Sequence, residues 1–93
     1  MIYTVRFSAD FAKQMKKLDP YQAKLIVAWI DKHLVNQDPR STGKALTANY
    51  KGSWRYRVGD YRILVEIIDD ELVLHLLMVT HRSQANSMSL VFI

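Results

Sequence analysis

The chain reads as a single α+β domain: one strand, a two-helix hairpin, then a three-stranded antiparallel meander, with both helices packed on one face of the sheet. Three observations predict it. Apolar and polar residues alternate with period two over residues 2–7 and again through residues 54–58. Between them, two stretches carry apolar residues at three- and four-residue spacing and are separated by little more than Asp19-Pro20. Beyond them, Gly59-Asp60 and Asp69-Asp70-Glu71 punctuate three successive strand-like runs.

Taken in order, Ile2, Thr4 and Arg6 alternate with Tyr3, Val5 and Phe7, the pattern of a half-buried strand. Ser8 stands where a helix N-cap belongs, and Asp10 in the first turn suits the positive end of the helix dipole. Phe11, Met15 and Leu18 form the stripe expected to pack on the sheet, while Lys13, Lys16 and Lys17 lie on the solvated side. Asp19 caps the second helix and Pro20 takes its first position, where a missing N–H costs nothing. Leu25, Trp29 and His33 make one stripe of that helix and Ile26, Ile30 and Leu34 the next, so a wide, largely buried face is expected. The short link favours an antiparallel helical hairpin.

Residues 36–43 are polar and contain Pro39 and Gly43, which predicts a loop. Residues 44–46 and 49–52 are then expected to turn the chain and place Leu46 in the core. In the hairpin that follows, Trp54, Tyr56 and Val58 point one way and Arg55 and Arg57 the other. Past the acidic turn, residues 72–79 are too apolar for an edge strand and end at His81-Arg82. The tail from about residue 83 passes from small polar residues to Leu90-Val91-Phe92-Ile93, which suits an extra strand, a partner-binding segment or a disordered end. Neither a repeat nor a second domain is visible, so residues 1–93 read as one domain.

Composition narrows the function classes. Apolar residues make up 49% and charged residues 24%, as in an ordinary globular chain. The absence of cysteine excludes a disulfide framework and a thiolate metal site. His33, His75 and His81 lack the close pairing a zinc site uses, so no metal and no cofactor are expected. No basic leader precedes residue 7 and no apolar run approaches the ~20 residues of a membrane helix, which makes a soluble cytoplasmic protein the expectation. The net charge of +4 permits a polyanionic partner, and its distribution adds weight. Four of the arginines fall between Arg55 and Arg82.

Three adjacent strands are expected to bring Arg55, Arg57, Arg62, His81 and Arg82 within reach of one another. Arginine presents a planar fork that binds phosphate oxygens in pairs and stays charged at physiological pH. Lys44 and Lys51 flank the cluster and are candidate contacts to the same polyanionic partner. His81 has the side chain whose ordinary titration suits proton transfer near neutrality. It reads either as a general acid or base, or as a strand-end residue bonded to a carbonyl.

The run Gly52-x-Trp54-Arg55-Tyr56-Arg57-Val58-Gly59-Asp60-Tyr61-Arg62-Ile63-Leu64, followed by an acidic turn, an apolar strand and His81-Arg82, resembles the RelE/ParE superfamily of bacterial toxins. The resemblance extends over residues 3 to about 84. It implies a RelE-like fold and the toxin part of a toxin–antitoxin system. In RelE-type enzymes the positions matching Arg55, Arg57 and Arg62 hold the scissile phosphate of messenger RNA and polarise the nucleophile, the position matching Arg82 stands near the leaving oxygen, and the message is cut on the ribosome without metal. A RelB-like antitoxin is the implied partner, in a hetero-oligomer. The resemblance also implies two alternatives: a ParE-type inhibitor that binds DNA gyrase without chemistry, or a weakened member that only docks its antitoxin. RelE-type toxins usually carry a tyrosine shortly after His-Arg, where this chain has Ala85 and Asn86 and no later aromatic but Phe92. Either His81 then carries more of the chemistry or the altered tail weakens the enzyme.

Overall fold

The structure, a computed structural model, describes residues 3–46 and 52–81. Lys51, Arg82 and the tail from residue 83 lie outside the described residues. The described elements run β1 (Thr4–Phe7), α1 (Ala9–Lys16), α2 (Pro20–Ile30), β2 (Lys44–Ala45), β3 (Ser53–Val58), β4 (Tyr61–Ile68) and β5 (Val73–His81).

Both helices begin as their sequences dictate. The Phe11 N–H donates to Ser8 Oγ at 3.0 Å, and the Tyr21 N–H donates to Asp19 Oδ2 at 3.2 Å, each satisfying a donor that the first helical turn leaves open. After Ile30 the second helix widens into a π-helical turn (Asp31–Val35), closed by Asn36, whose backbone and side-chain N–H groups both donate to Asp31 O. One stripe of α2 is fully buried: Ile26, Ile30 and, in the π turn, Leu34. The wide buried face expected of this helix narrows accordingly. Leu25 and Val27 are 45% and 46% exposed, because the sheet covers only one side of the helix.

Five strands form one mixed sheet in the order β1-β5-β4-β3-β2. The antiparallel meander β3-β4-β5 is as the sequence predicts. Gly59 takes φ 58° in the two-residue turn between Val58 and Tyr61, where a tight hairpin needs a residue free of Cβ crowding. Two features go beyond the expectation. β1 pairs in parallel with β5, with Val5 beside Leu74 and Phe7 beside Leu76, which makes β5 an interior strand and explains its apolar sequence. Residues 44–45, expected only to turn the chain, form the short edge strand β2 against Arg55 and Trp54.

The main core lies between the helices and one face of the sheet. Phe11, Ile26, Ile30 and Leu34 meet Tyr56, Ile63, Val65, Leu74 and Leu76, all of them nearly or wholly buried. Burying each such side chain is worth about 1.5–3 kcal/mol. Leu46 is buried as expected but on the opposite face, with Leu64, Leu77 and Met78.

Candidate functional site

The alternation along β3 decides where the site forms. Trp54, Tyr56 and Val58 pack toward the helices, so Arg55 and Arg57 stand on the open face. Across the ladder, Arg62 of β4 is directly opposite Arg57, and Lys44 of β2 is directly opposite Arg55. Residues opposed in this way share a face. With Thr42 and Gly43 they line a concavity of about 420 Å³. Arg62 is half-buried with Nη1 shielded from solvent, and Arg57 is exposed. Among the described residues the lining offers four cations, one hydroxyl and no carboxylate. Like charges set side by side raise one another's energy, and an anion bound between them relieves it.

Lys44 and Thr42 reach this wall through the loop that leaves the helical layer. Asp38 caps the 3₁₀ turn Pro39–Ser41, accepting from the Arg40 N–H at 3.0 Å. The buried Tyr56 hydroxyl donates to Pro39 O at 2.6 Å, and burial pushes its phenol pKa well above the ordinary value. Arg40 grips Asp69 with both terminal nitrogens, at 3.0 and 2.8 Å, while the Tyr3 hydroxyl donates to Asp69 Oδ1 at 2.7 Å. The Arg40 guanidinium, and then the Tyr3 hydroxyl, hold the Asp69 carboxyl below the usual carboxylate range. That pair is too exposed to add much stability, so its main effect is on loop geometry. Gly43 then crosses so near Tyr56 that a Cβ there would lie 2.6 Å from the ring, and it does so at φ 79°. Lys44 emerges opposite Arg55 as a result.

His81 sits elsewhere. The sequence reading places it among the arginines, whereas its ring stacks edge-on against Tyr61, 5.2 Å between centroids, in a hollow that also contains Gln14, Lys17 and Leu18. Tyr61 packs on the helix-side core, so His81 is on the side of the sheet away from Arg55, Arg57 and Arg62. The physical reason is a bulge in β5. Val65 pairs with Leu76 and Leu64 with Met78, leaving Leu77 as an inserted residue that reverses the alternation beyond it. Thr80 thereby joins Arg62 as its direct neighbour, and His81 turns to the helices. Glu66 pairs with His75 at 3.5 Å, further along the open face. Lys51 and Arg82, expected at the site, lie outside the described residues. The sequence reading missed Thr42 and Gly43 as walls of the site. The only local signal was a glycine immediately before a lysine.

A family model described as the ParE toxin of type II toxin–antitoxin systems (parDE) matches residues 5–86. The chain belongs to the RelE/ParE toxin superfamily. The toxin RelG of Mycobacterium tuberculosis is 32% identical over 83 residues, covering 89% of this chain and 94% of RelG. The toxin–antitoxin complex RelBE2 from the same organism contains a chain 32% identical to this toxin, with a TM-score of 0.80 over 88% of this chain and 100% of that one. Escherichia coli RelE, in a mutant form in the free state, shares the fold at 18% identity, with a TM-score of 0.76 over 96% and 93% of the two chains. The protein is therefore the toxin of a toxin–antitoxin system, with an α+β fold of the RelE kind. Among the described residues, no helix is long and apolar enough to cross a membrane.

Proposed function

We propose that this toxin is a metal-independent endoribonuclease that cleaves messenger RNA on the ribosome. The observation that carries the reading is the convergence of Lys44, Arg55, Arg57 and Arg62 on one concavity. In the proposed reaction the ribose 2′-oxygen attacks the adjacent phosphorus while the bond to the 5′-oxygen of the next nucleotide breaks. The 2′-hydroxyl loses its proton, the departing oxygen gains one, and the products are a 2′,3′-cyclic phosphate and a 5′-hydroxyl. Arg55, Arg57 and Arg62 bind the non-bridging oxygens and stabilise the charge of the pentacovalent phosphorus. Lys44 holds a neighbouring phosphate. Arg82, the residue after the end of β5, serves the departing oxygen, and Lys51 contacts RNA beside the site.

Among the described residues the lining contains no imidazole, and His81 faces the helices. The described wall therefore contributes alignment and charge stabilisation, and the ribosome and water take part in moving the protons. This division also suits a chain without the tyrosine that such enzymes carry after His-Arg.

A RelB-like antitoxin is the proposed partner, in a hetero-oligomer that covers the cationic hollow. The complexes among its structural relatives, notably RelBE2, support an antitoxin partner. A second reading, inhibition of DNA gyrase by binding alone, is favoured by the match to the ParE toxin family. The test is to incubate the protein with translating ribosomes and map the message ends, beside a gyrase supercoiling assay. New 5′-hydroxyl ends that disappear with Arg62→Ala support the nuclease. Intact message with supercoiling blocked supports the second reading.

A further inference from the structure

We infer that Gln14, on the helix side of the sheet, is a positioning residue for the open-face site. β1 ends at Phe7, whose partner on β5 is Leu76, but β5 runs on to His81. Among the described residues no strand lies beside β5 on that edge from Leu77 onward, and α1 packs against β5 there. Backbone groups on such an edge need other partners. Two residues of the helix region supply them. Ser8 Oγ donates to Leu77 O at 2.8 Å, at the inserted residue, and Gln14 Oε1 accepts the Val79 N–H at 2.8 Å.

The consequence reaches through the sheet. Val79 lies between Met78 and Thr80, the residues that face Leu64 and Arg62 across the ladder. The reversed alternation after Leu77 is what sets Thr80 beside Arg62 on the open face. Ser8 pins the bulge itself, and Gln14 pins the first inward-facing residue after it. Gln14 is only half-buried and lies outside the main core, so its contribution to packing is small beside that of Phe11. Its amide oxygen takes the Val79 N–H as a strand carbonyl would, and the register at Thr80 depends on it.

This assignment rests on the reading of the arginine row as a cleavage site, and the experiment separates the two. Cleavage of a defined ribosome-bound message is measured for the full chain, for Arg62→Ala, and for three Gln14 variants. Gln14→Met removes the acceptor at nearly constant length, Gln14→Asn retains an acceptor too short to reach, and Gln14→Glu keeps one in place. Amide exchange at Val79 is followed by NMR, and folding by circular dichroism. Gln14→Met and Gln14→Asn are expected to fold, to expose the Val79 amide, and to lose tenfold or more in kcat with KM within a factor of two. Gln14→Glu is expected to restore both the protected amide and the rate. If Arg62→Ala cleaves normally, the cleavage-site reading is wrong. If Arg62→Ala is inactive but a folded Gln14→Met or Gln14→Asn cleaves like the parent, or Gln14→Glu fails to rescue, the positioning role is wrong. Failure of both Gln14→Met and Gln14→Asn to fold would also overturn it, in favour of a purely structural part.

Discussion

The two faces of the sheet are built from the same strands and do opposite things. The helix-side face of β4 carries Ile63, Val65 and Ile67, which are sealed from water by α1 and α2. One residue away, its open face carries Arg62 in a row of cations with Arg55, Arg57 and Lys44. Stability is concentrated on the first face, where apolar area leaves water. On the second, the same rigid ladder holds like charges in fixed positions, an arrangement that lowers stability slightly and becomes favourable when an anion arrives. The difference shows how a chain this short can carry both a core and the proposed site: one strand gives alternate residues to the core and the others to the cationic face.

Adjacent residues of β4 give the sharpest test of that division. Arg62→Ala should reduce message cleavage by at least ~100-fold while leaving the urea midpoint almost unchanged, since it removes a stabiliser of developing charge. Ile63→Ala, one position along, should lower stability by about 2–5 kcal/mol through the cavity it leaves under the helices. Surviving folded Ile63→Ala protein should keep its cleavage rate per molecule. If Arg62→Ala instead unfolds the domain, the two faces are not functionally separate.

The next largest effect is expected where the chain passes from one face to the other. Gly43→Ala places a Cβ 2.6 Å from the Tyr56 ring at a positive φ, and Lys44 follows immediately. A loss of about 1–3 kcal/mol in a denaturant melt is expected, with weaker binding of single-stranded RNA. His81→Gln tests the bulge. With its ring on the helix side, its effect on cleavage should fall well short of the roughly 10²–10⁴-fold that removing a general acid or base costs. A loss of that size would put the imidazole back in the reaction.

Smaller effects belong to the loop clamp and the turn before β5. Asp69 has its pKa lowered in the folded state, so the folded protein binds fewer protons there than the unfolded chain. The stabilisation is complete above the unfolded value of about 3.9 and fades as pH falls through the lower, folded one. Amide exchange in residues 36–43, compared between neutral and strongly acid solution, should show the loop loosening in that window, and Asp69→Asn should loosen it at neutral pH. Leu72 adopts φ 53°, a left-handed conformation that costs a side chain with a Cβ. Leu72→Gly should gain between a few tenths and about 1 kcal/mol in a thermal melt, because relief of strain exceeds the added freedom of the unfolded chain.

The sequence by itself determined the features that depend on neighbours along the chain. Ser8 and Asp19 cap their helices because a side-chain oxygen sits within three residues of the N–H it accepts, and Gly59 turns the hairpin for an equally local reason. Period-two alternation was enough to put Arg55 and Arg57 on one face and Arg62 beside them, because a strand repeats every two residues unless something is inserted. Tertiary structure decided the rest. Nothing local marks Leu77 as an inserted residue, for it is one apolar residue in an apolar strand, yet it turns His81 away from the arginines and Thr80 toward them. β1 joins β5 rather than another edge through pairing between residues about 70 apart, such as Thr4 with Val73. The clamp of Arg40, Asp69 and Tyr3, and the bond from Tyr56 to Pro39, likewise join residues far apart in sequence. Such contacts depend on where whole elements come to rest, and that is settled by burial of the core, not by any short stretch of chain.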